Sequence, residues 1–435
     1  MPTFQEIKTQ AEQHRNSKNY AEALPLYQEI WENHRENCGK WEGWAYAFCK
    51  SKLGLHSEAL ELCREIYPNN KDFEQIKGLY AWSIYYTEIK DNEIKDEARF
   101  FKAAQAITQL TKQEDKYSPY LLVVYKVLEY LNNKAIFNPS KVIEWTDKLE
   151  KTTLDATPFS FEDKEGKTRE LASKKEQYYS LRTKALFELN RSQDCIECCH
   201  EALESFSKFH YDNDIWFKRL IALSNAKLSN FEEAITQLKE LLKKKNEWFI
   251  QKEIAELFLQ VDNINEAEKY AIDGALNFGD ADKKLNLYLL IADILQRQGK
   301  SDEARKHIEF ICKIRQEKQW KIDNELQQQV TLFNIDLSKL PNFKVIQNEL
   351  RRIWDNLKFS TQDQFKGLIK SILPNGKAGF VEIERGKSYY FQLKDFKGRR
   401  DLIKEGQKVI FYLEDSFDQK KNQPTKNAVN VKPIF

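Results

Sequence analysis

Nothing in the 435-residue chain reads as a membrane span. No run of eighteen apolar residues occurs, and the N-terminus, MPTFQEIKTQAEQ, lacks a basic segment followed by an apolar one, so neither a membrane protein nor a secreted one is expected. Cysteine is scarce: Cys38, Cys49, Cys63, Cys195, Cys198, Cys199 and Cys312 are too few and too irregularly spaced for a disulfide framework. A reducing, cytoplasmic setting is the expectation. Net charge is nearly absent too, at +2, but it is unevenly spread. Residues 365–435 hold 15 Lys and Arg against 8 Asp and Glu, a net of +7, which leaves −5 for the rest. That final stretch has no His and no Cys, yet holds 6 of the 14 glycines.

Signatures of catalysis are missing as well. Asn375-Gly376-Lys377-Ala378 has the end of a phosphate-binding loop without its first Gly or its Ser/Thr. His200-Glu201 lacks the second His of a zinc protease, since Glu204 stands there. Cys195-Ile-Glu-Cys198-Cys199-His200 has no second ligand pair for zinc, and an extra Cys interrupts a haem-attachment spacing. Cys195 and Cys199 are expected to pack as small core side chains. The chain is read as non-enzymatic, with no cofactor and no metal.

What is present is repetition. With 41% hydrophobic and 31% charged residues, the chain can bury a core, but it is too long for one compact core. Small residues recur in pairs twelve positions apart: Ala11/Ala23, Ala47/Ala59, Thr183/Cys195, Ala222/Ala234, Ala255/Ala267 and Ala292/Ala304. Two antiparallel helices approach closely only where neither carries a bulky side chain, so each pair predicts one helical hairpin. Local breakers fall between the members: Lys18, Gly54, Asn190, Ser229, Asp262 and Gly299 with their neighbours. Between Lys71 and Asp155 the spacing drifts, and Tyr86/Ala98 and Tyr130/Val142 mark divergent repeats.

Units such as Asn19-Tyr-Ala-Glu-Ala-Leu24 and Leu228-Ser-Asn-Phe-Glu-Glu-Ala-Ile235 resemble the tetratricopeptide repeat over most of residues 1–316, although the Trp and Pro positions of that family are mostly absent. The resemblance implies an α-solenoid that binds protein partners. Most of Trp41, Trp44, Tyr46, Phe48, Trp82, Tyr85 and Tyr86 are assigned to packing, a minority to a groove. Residues 157–169 form a polar insertion, a loop or small ribbon. A helix is expected to run on from Cys312 toward Gln329. Phe343, Ile346, Leu350, Ile353, Trp354 and Leu357 then form an apolar stripe at helical spacing, read as a helix closing the solenoid. Residues 360–364 read as a polar tether, so the expected division is 1–316, 317–362 and 363–435.

The last segment changes period. Lys366–Ile372, Ala378–Ile383, Ser388–Leu393, Gln407–Glu414 and Asn427–Lys432 are strand candidates, and five short strands with a long third connection predict a small five-stranded β-barrel. Gly367-Leu-Ile-Lys370, Gly379-Phe380-Val381, Tyr389-Tyr390-Phe391, Lys404 to Phe411 and Ala428 to Val431 together resemble the cold-shock domain, an OB-fold barrel. That resemblance implies stacking of unpaired bases on aromatic side chains beside basic residues. Lys370, Phe380 and Tyr390 match ligand-facing positions of that family. Ser371, Ala378, Gln392 and Leu393 stand where the family has Trp, Phe, His and Phe, so the platform is thinned. Lys394, Lys397, Arg399 and Arg400 after the third strand, and Lys420 and Lys421 after the fourth, offer phosphate contacts. The expected function is an adaptor: a solenoid for protein, a barrel for single-stranded RNA in preference to DNA, with little sequence specificity. A pure protein-interaction scaffold and a regulatory subunit of a nucleic-acid-processing stress or defence system stay open.

Overall fold

Five of the six twelve-residue pairs, all but Ala222/Ala234, lie on consecutive helices that pack against each other. In the computed structural model, which describes residues 2–90, 93–360, 362–383, 386–418 and 422–434, every member of the six pairs is buried. All six intervening turns carry a residue with positive φ: Lys18 (63°), Gly54 (81°), Asn190 (57°), Ser229 (67°), Asp262 (59°) and Gly299 (77°). A left-handed residue reverses the chain at a helix end, and Gly or Asn does so with least strain.

The chain forms two compact units, divided at Leu228/Ser229. The first unit holds the hairpins α1 (Phe4–Asn16)/α2 (Tyr20–Asn33) and α3 (Lys40–Lys52)/α4 (His56–Ile66), then α5 (Glu74–Ile84) and α6 (Glu97–Leu110). It continues with α7 (Tyr120–Asn133)/α8 (Pro139–Thr146), α9 (Lys174–Glu188)/α10 (Ser192–Ser205) and α11 (Asn213–Lys227). Where the period drifts, a π-helical turn, Tyr85–Ile89, follows α5, and seven residues, 90–96, lead to α6 where three join α1 to α2. Ala98 is consequently exposed, and α6 buries Phe100, Ala103, Ala104 and Ile107 instead. The insertion is a ribbon, β1 (Phe159–Glu162) paired antiparallel with β2 (Thr168–Leu171), exposed along both strands.

The second unit opens with α12 (Phe231–Lys244) and the hairpins α13 (Trp248–Gln260)/α14 (Ile264–Leu276) and α15 (Leu285–Arg297)/α16 (Ser301–Glu317). The helix expected to reach Gln329 stops earlier. Gln319 turns left-handed (φ 57°), Arg315 bonds the carbonyl of Lys321, and Asp323 caps α17 (Asn324–Leu332) by accepting from Leu326 N–H. The apolar stripe forms α18 (Phe343–Phe359), which packs on α14 and α16. Ile346 and Leu350 are buried, and Trp354 stacks on Tyr288 at 5.7 Å and 11°. Trp354 Nε1–H also donates to Nε2 of the fully buried His307 at 2.8 Å.

Five strands close a barrel in the order β3-β4-β5-β7-β6: β3 (Phe365–Ile372), β4 (Ala378–Glu382), β5 (Ser388–Gln392), β6 (Lys408–Asp418) and β7 (Gln423–Pro433). The fold is thus a mainly α helical-repeat solenoid followed by a closed five-stranded barrel.

Candidate nucleic-acid interface

Alternation along the strands fills the barrel and leaves a face outside. Ile369, Val381, Phe391, Val409, Phe411, Ala428 and Val431 point inward and are buried. Close contact between β3 and β4 needs glycine: a Cβ on Gly379 would lie 2.5 Å from the Ser371 carbonyl oxygen and 2.8 Å from the Phe391 ring.

Phe380 and Tyr390 therefore point outward as a cross-strand pair, with ring centroids 5.9 Å apart at 74°. Ser371 stands opposite Phe380 on β3. The register slips between Ile369 and Ser371, and Lys370 sits at that irregularity. Its ammonium donates to Glu382 Oε1 at 2.7 Å and to Ser388 Oγ at 3.2 Å. Lys370 is thus on the aromatic face, but a carboxylate already compensates its charge.

Beside this face lies a hollow of about 570 Å³, lined by Ile372, Gly376, Lys377, Gln392, Leu393, Lys394, Arg400 and Ile403. It has an apolar floor, three cations and no carboxylate. Among the described residues none of Lys377, Lys394 and Arg400 has an ion-pair partner. Lys377 is a group that sequence reasoning did not select. Its place is set by the Leu373–Lys377 turn, where Gly376 has φ 62° and Asn375 Oδ1 accepts from Lys377 N–H, and by Leu393 N–H bonding the Lys377 carbonyl at 2.9 Å. The Asn-Gly-Lys turn was the available signal. On the other side of Tyr390 and Gln392 a smaller hollow of about 270 Å³ has Asp395, Glu414 and Asp415 in its wall, and Lys394 lines this hollow as well.

The remaining candidates are scattered. Lys397 turns away from the hollow to pair with Asp355 of α18 at 3.5 Å. Arg399 is exposed and bonds Asp401 at 3.0 Å. Lys420 and Lys421 lie outside the described residues. The barrel is seated against α18 rather than merely tethered. Phe359 stacks on Tyr412 at 4.5 Å and 17°, and Gln364 donates to the Tyr412 hydroxyl at 3.0 Å. Lys358 bridges Asp273 of α14 (3.0 Å) and Glu414 of β6 (2.5 Å). Burial alone would lower the Lys358 pKa; the two carboxylates outweigh it and raise the value above the usual lysine range.

In the first unit, a third hollow, of about 650 Å³, is lined by Tyr125 and Leu128 of α7, Leu181 and Phe187 of α9, and Trp216 and Leu220 of α11. It is mostly apolar, as a seat for a peptide or partner helix requires. Cys195, Cys198 and Cys199 are all buried and pack as small core side chains, and burial pushes the Cys198 thiol up to about 12. No group of three or more His, Cys, Asp or Glu that could hold a metal occurs among the described residues, and no described helix is long and apolar enough to cross a membrane.

One family, described as a domain of unknown function (DUF7017), matches residues 215–332, from α11 to α17. No curated protein matches the chain. Among solved structures, a tetratricopeptide repeat protein from Parabacteroides merdae is similar at 10% identity and a TM-score of 0.30, covering 76% of this chain and 99% of that one. The human IFIT1 dimer with PPP-AAAA gives 12% identity and 0.33, covering 81% and 82%. The TPR2AB-domain:pHSP90 complex of yeast Sti1 gives 15% and 0.23, covering 69% and 98%. These superpositions are too loose to carry an argument, and the repeat architecture rests on the hairpins and turns described above.

Proposed function

We propose that this protein is a non-enzymatic adaptor of the cytoplasm, whose solenoid takes a protein partner and whose barrel contacts single-stranded nucleic acid, RNA in preference to DNA, with little sequence specificity. The observation that carries this reading is the outward pair Phe380 and Tyr390 beside a carboxylate-free hollow holding Lys377, Lys394 and Arg400. Rings offer stacking to any base, and unpaired cations offer contact to any phosphate. Neither reads sequence. The resemblance of the strands to the cold-shock domain points the same way. The apolar hollow between α7, α9 and α11 supports the partner half of the reading.

Affinity on this account is modest. Two aromatic side chains are fewer than the related barrels use, and each stacked base contributes roughly 1–3 kcal/mol. A partner that brings the barrel to its strand raises the effective concentration and offsets that weakness. The test is titration of the full chain with a labelled uridine oligonucleotide. Phe380→Ala with Tyr390→Ala should weaken binding at least about tenfold.

A second reading, a protein-interaction scaffold with a repurposed barrel, is favoured by one observation: Lys370 and Lys397 are already engaged by Glu382 and Asp355. Under that reading the same double variant leaves oligonucleotide binding unchanged and alters only a protein complex.

A further inference from the structure

Helix α3 divides its aromatic residues between core and surface. Tyr46 is buried with Ala45, Ala47 and Cys49, Trp44 and Phe48 are half-buried against the core, and Trp41, on the same side as Trp44 and Phe48 at i, i+3 and i+7, is exposed. Trp41 is 50% exposed. The rings form a continuous ladder. Phe73 meets Trp41 at 4.6 Å between centroids, Trp41 meets Trp44 at 5.9 Å, Trp44 stacks on Phe48 at 5.0 Å and 25°, and Phe48 meets Tyr20 at 5.9 Å. Phe73 is buried, Tyr20, Trp44 and Phe48 are half-buried against the core, and the ladder opens to solvent at Trp41.

Three cations are set against the ladder. Lys40 lies 5.0 Å from the Phe73 ring centre, Arg15 lies 5.3 Å from Trp44, and Lys52 lies 5.1 Å from Phe48. Among the described residues none of the three has an ion-pair partner. The carboxylate that α3 itself carries, Glu42, is buried and bound to Lys8 at 2.6 Å, so it does not offset them.

We propose that this ladder is a second contact surface for single-stranded nucleic acid, separate from the barrel, with unpaired bases stacking on the Trp41 to Phe48 rings and Lys40, Arg15 and Lys52 meeting phosphates. The chemistry selects this occupant. Every base has a π-face, and a strand carries one negative charge for each base, which matches a row of rings flanked by unpaired cations. An apolar peptide would cover the rings and leave three cations uncompensated.

The test uses the full-length chain carrying Phe380→Ala, Tyr390→Ala, Lys377→Ala, Lys394→Ala and Arg400→Ala, so that both the rings and the cations of the barrel face are already removed. Labelled uridine oligonucleotide should still bind this background at low salt. Adding Trp41→Ala should weaken the remaining binding at least about tenfold. Lys40→Ala with Lys52→Ala, at exposed positions that leave the core untouched, should lower the salt slope by about 1.4, at roughly 0.7 per cation. Circular dichroism confirms that each variant is folded. Three results overturn the proposal: no oligonucleotide binding in the barrel-face background, binding that neither ladder variant changes, or displacement of the oligonucleotide by a ten-residue oligoglutamate at equal charge concentration. The last would make the ladder an acidic-peptide groove. Failure of the barrel reading is seen separately, as a barrel-face variant that binds like the unaltered chain.

Discussion

Lys370 is held on the aromatic face by Glu382 and Ser388, and this pairing limits what it can give to a phosphate. Glu382→Gln removes the competing charge and leaves the strand pairing intact. It should strengthen oligonucleotide binding and steepen the salt slope by about 0.7, the increment for one cation on a single strand, as read by anisotropy titrations over a salt series. Lys377→Ala and Arg400→Ala should each reduce the slope by about the same amount. Elsewhere, Lys284 is buried and donates to the carbonyls of Gly274 (3.0 Å) and Asn277 (2.6 Å) at the end of α14. Lys284→Met leaves those acceptors unmet and should cost roughly 1–3 kcal/mol in urea unfolding. The residue scale was partly legible in advance. Phe380 and Tyr390 follow from strand alternation, because a period of two fixes which side chains leave the barrel. Lys377 depends on how a turn meets β5, and Lys397 on Asp355, forty-two positions earlier in the chain. Neither contact is written in a local pattern.

Among elements, α16 and α18 show how a polar contact can sit in a packed seam. His307 accepts from Trp354 Nε1–H, and its Nδ1 lies 2.7 Å from the Glu303 carbonyl oxygen, so the neutral ring is satisfied at both nitrogens. Burial pushes its pKa down from 6.5 to about 4. A depressed histidine pKa means that the unfolded chain takes up the proton first. The contribution of this pair is complete above about pH 6.5 and declines as pH falls toward 4, by roughly 3 kcal/mol in total. Calorimetry at pH 7 and pH 4.5 should show a drop in melting temperature that His307→Asn reduces. The small-residue pairs give a second expectation: Ala267→Leu, at a position with no exposure, should destabilise the second unit by roughly 1–3 kcal/mol. These pairs were the clearest words in the sequence, since close helix contact demands small side chains at a fixed spacing. The π-helical turn at Tyr85–Ile89 was not legible. Together with the longer connection 90–96 it shifts the register of α6, and in the sequence this appears only as drift.

For the molecule as a whole, the second unit joins barrel and solenoid through side chains. Lys358 stands between Asp273 and Glu414, and Phe359 stacks on Tyr412. Lys358→Met leaves two carboxylates facing one another without their cation, and should loosen the barrel. Limited proteolysis should then cut within residues 360–364 faster than in the unaltered chain. The sequence suggested a tether there because Ser, Gln and Asp dominate the segment; the seating comes from Lys358 and Tyr412, which lie on either side of it. These contacts hold the barrel in place against α18 within the second unit.

The most direct measurement is anisotropy titration of the full chain with a labelled uridine oligonucleotide between low and moderate salt, alongside the Phe380→Ala/Tyr390→Ala variant. The account predicts binding at low salt that weakens steeply as salt rises, and a loss of at least about tenfold in the variant. Absence of binding at low salt by the folded chain, or equal binding by chain and variant, would contradict it.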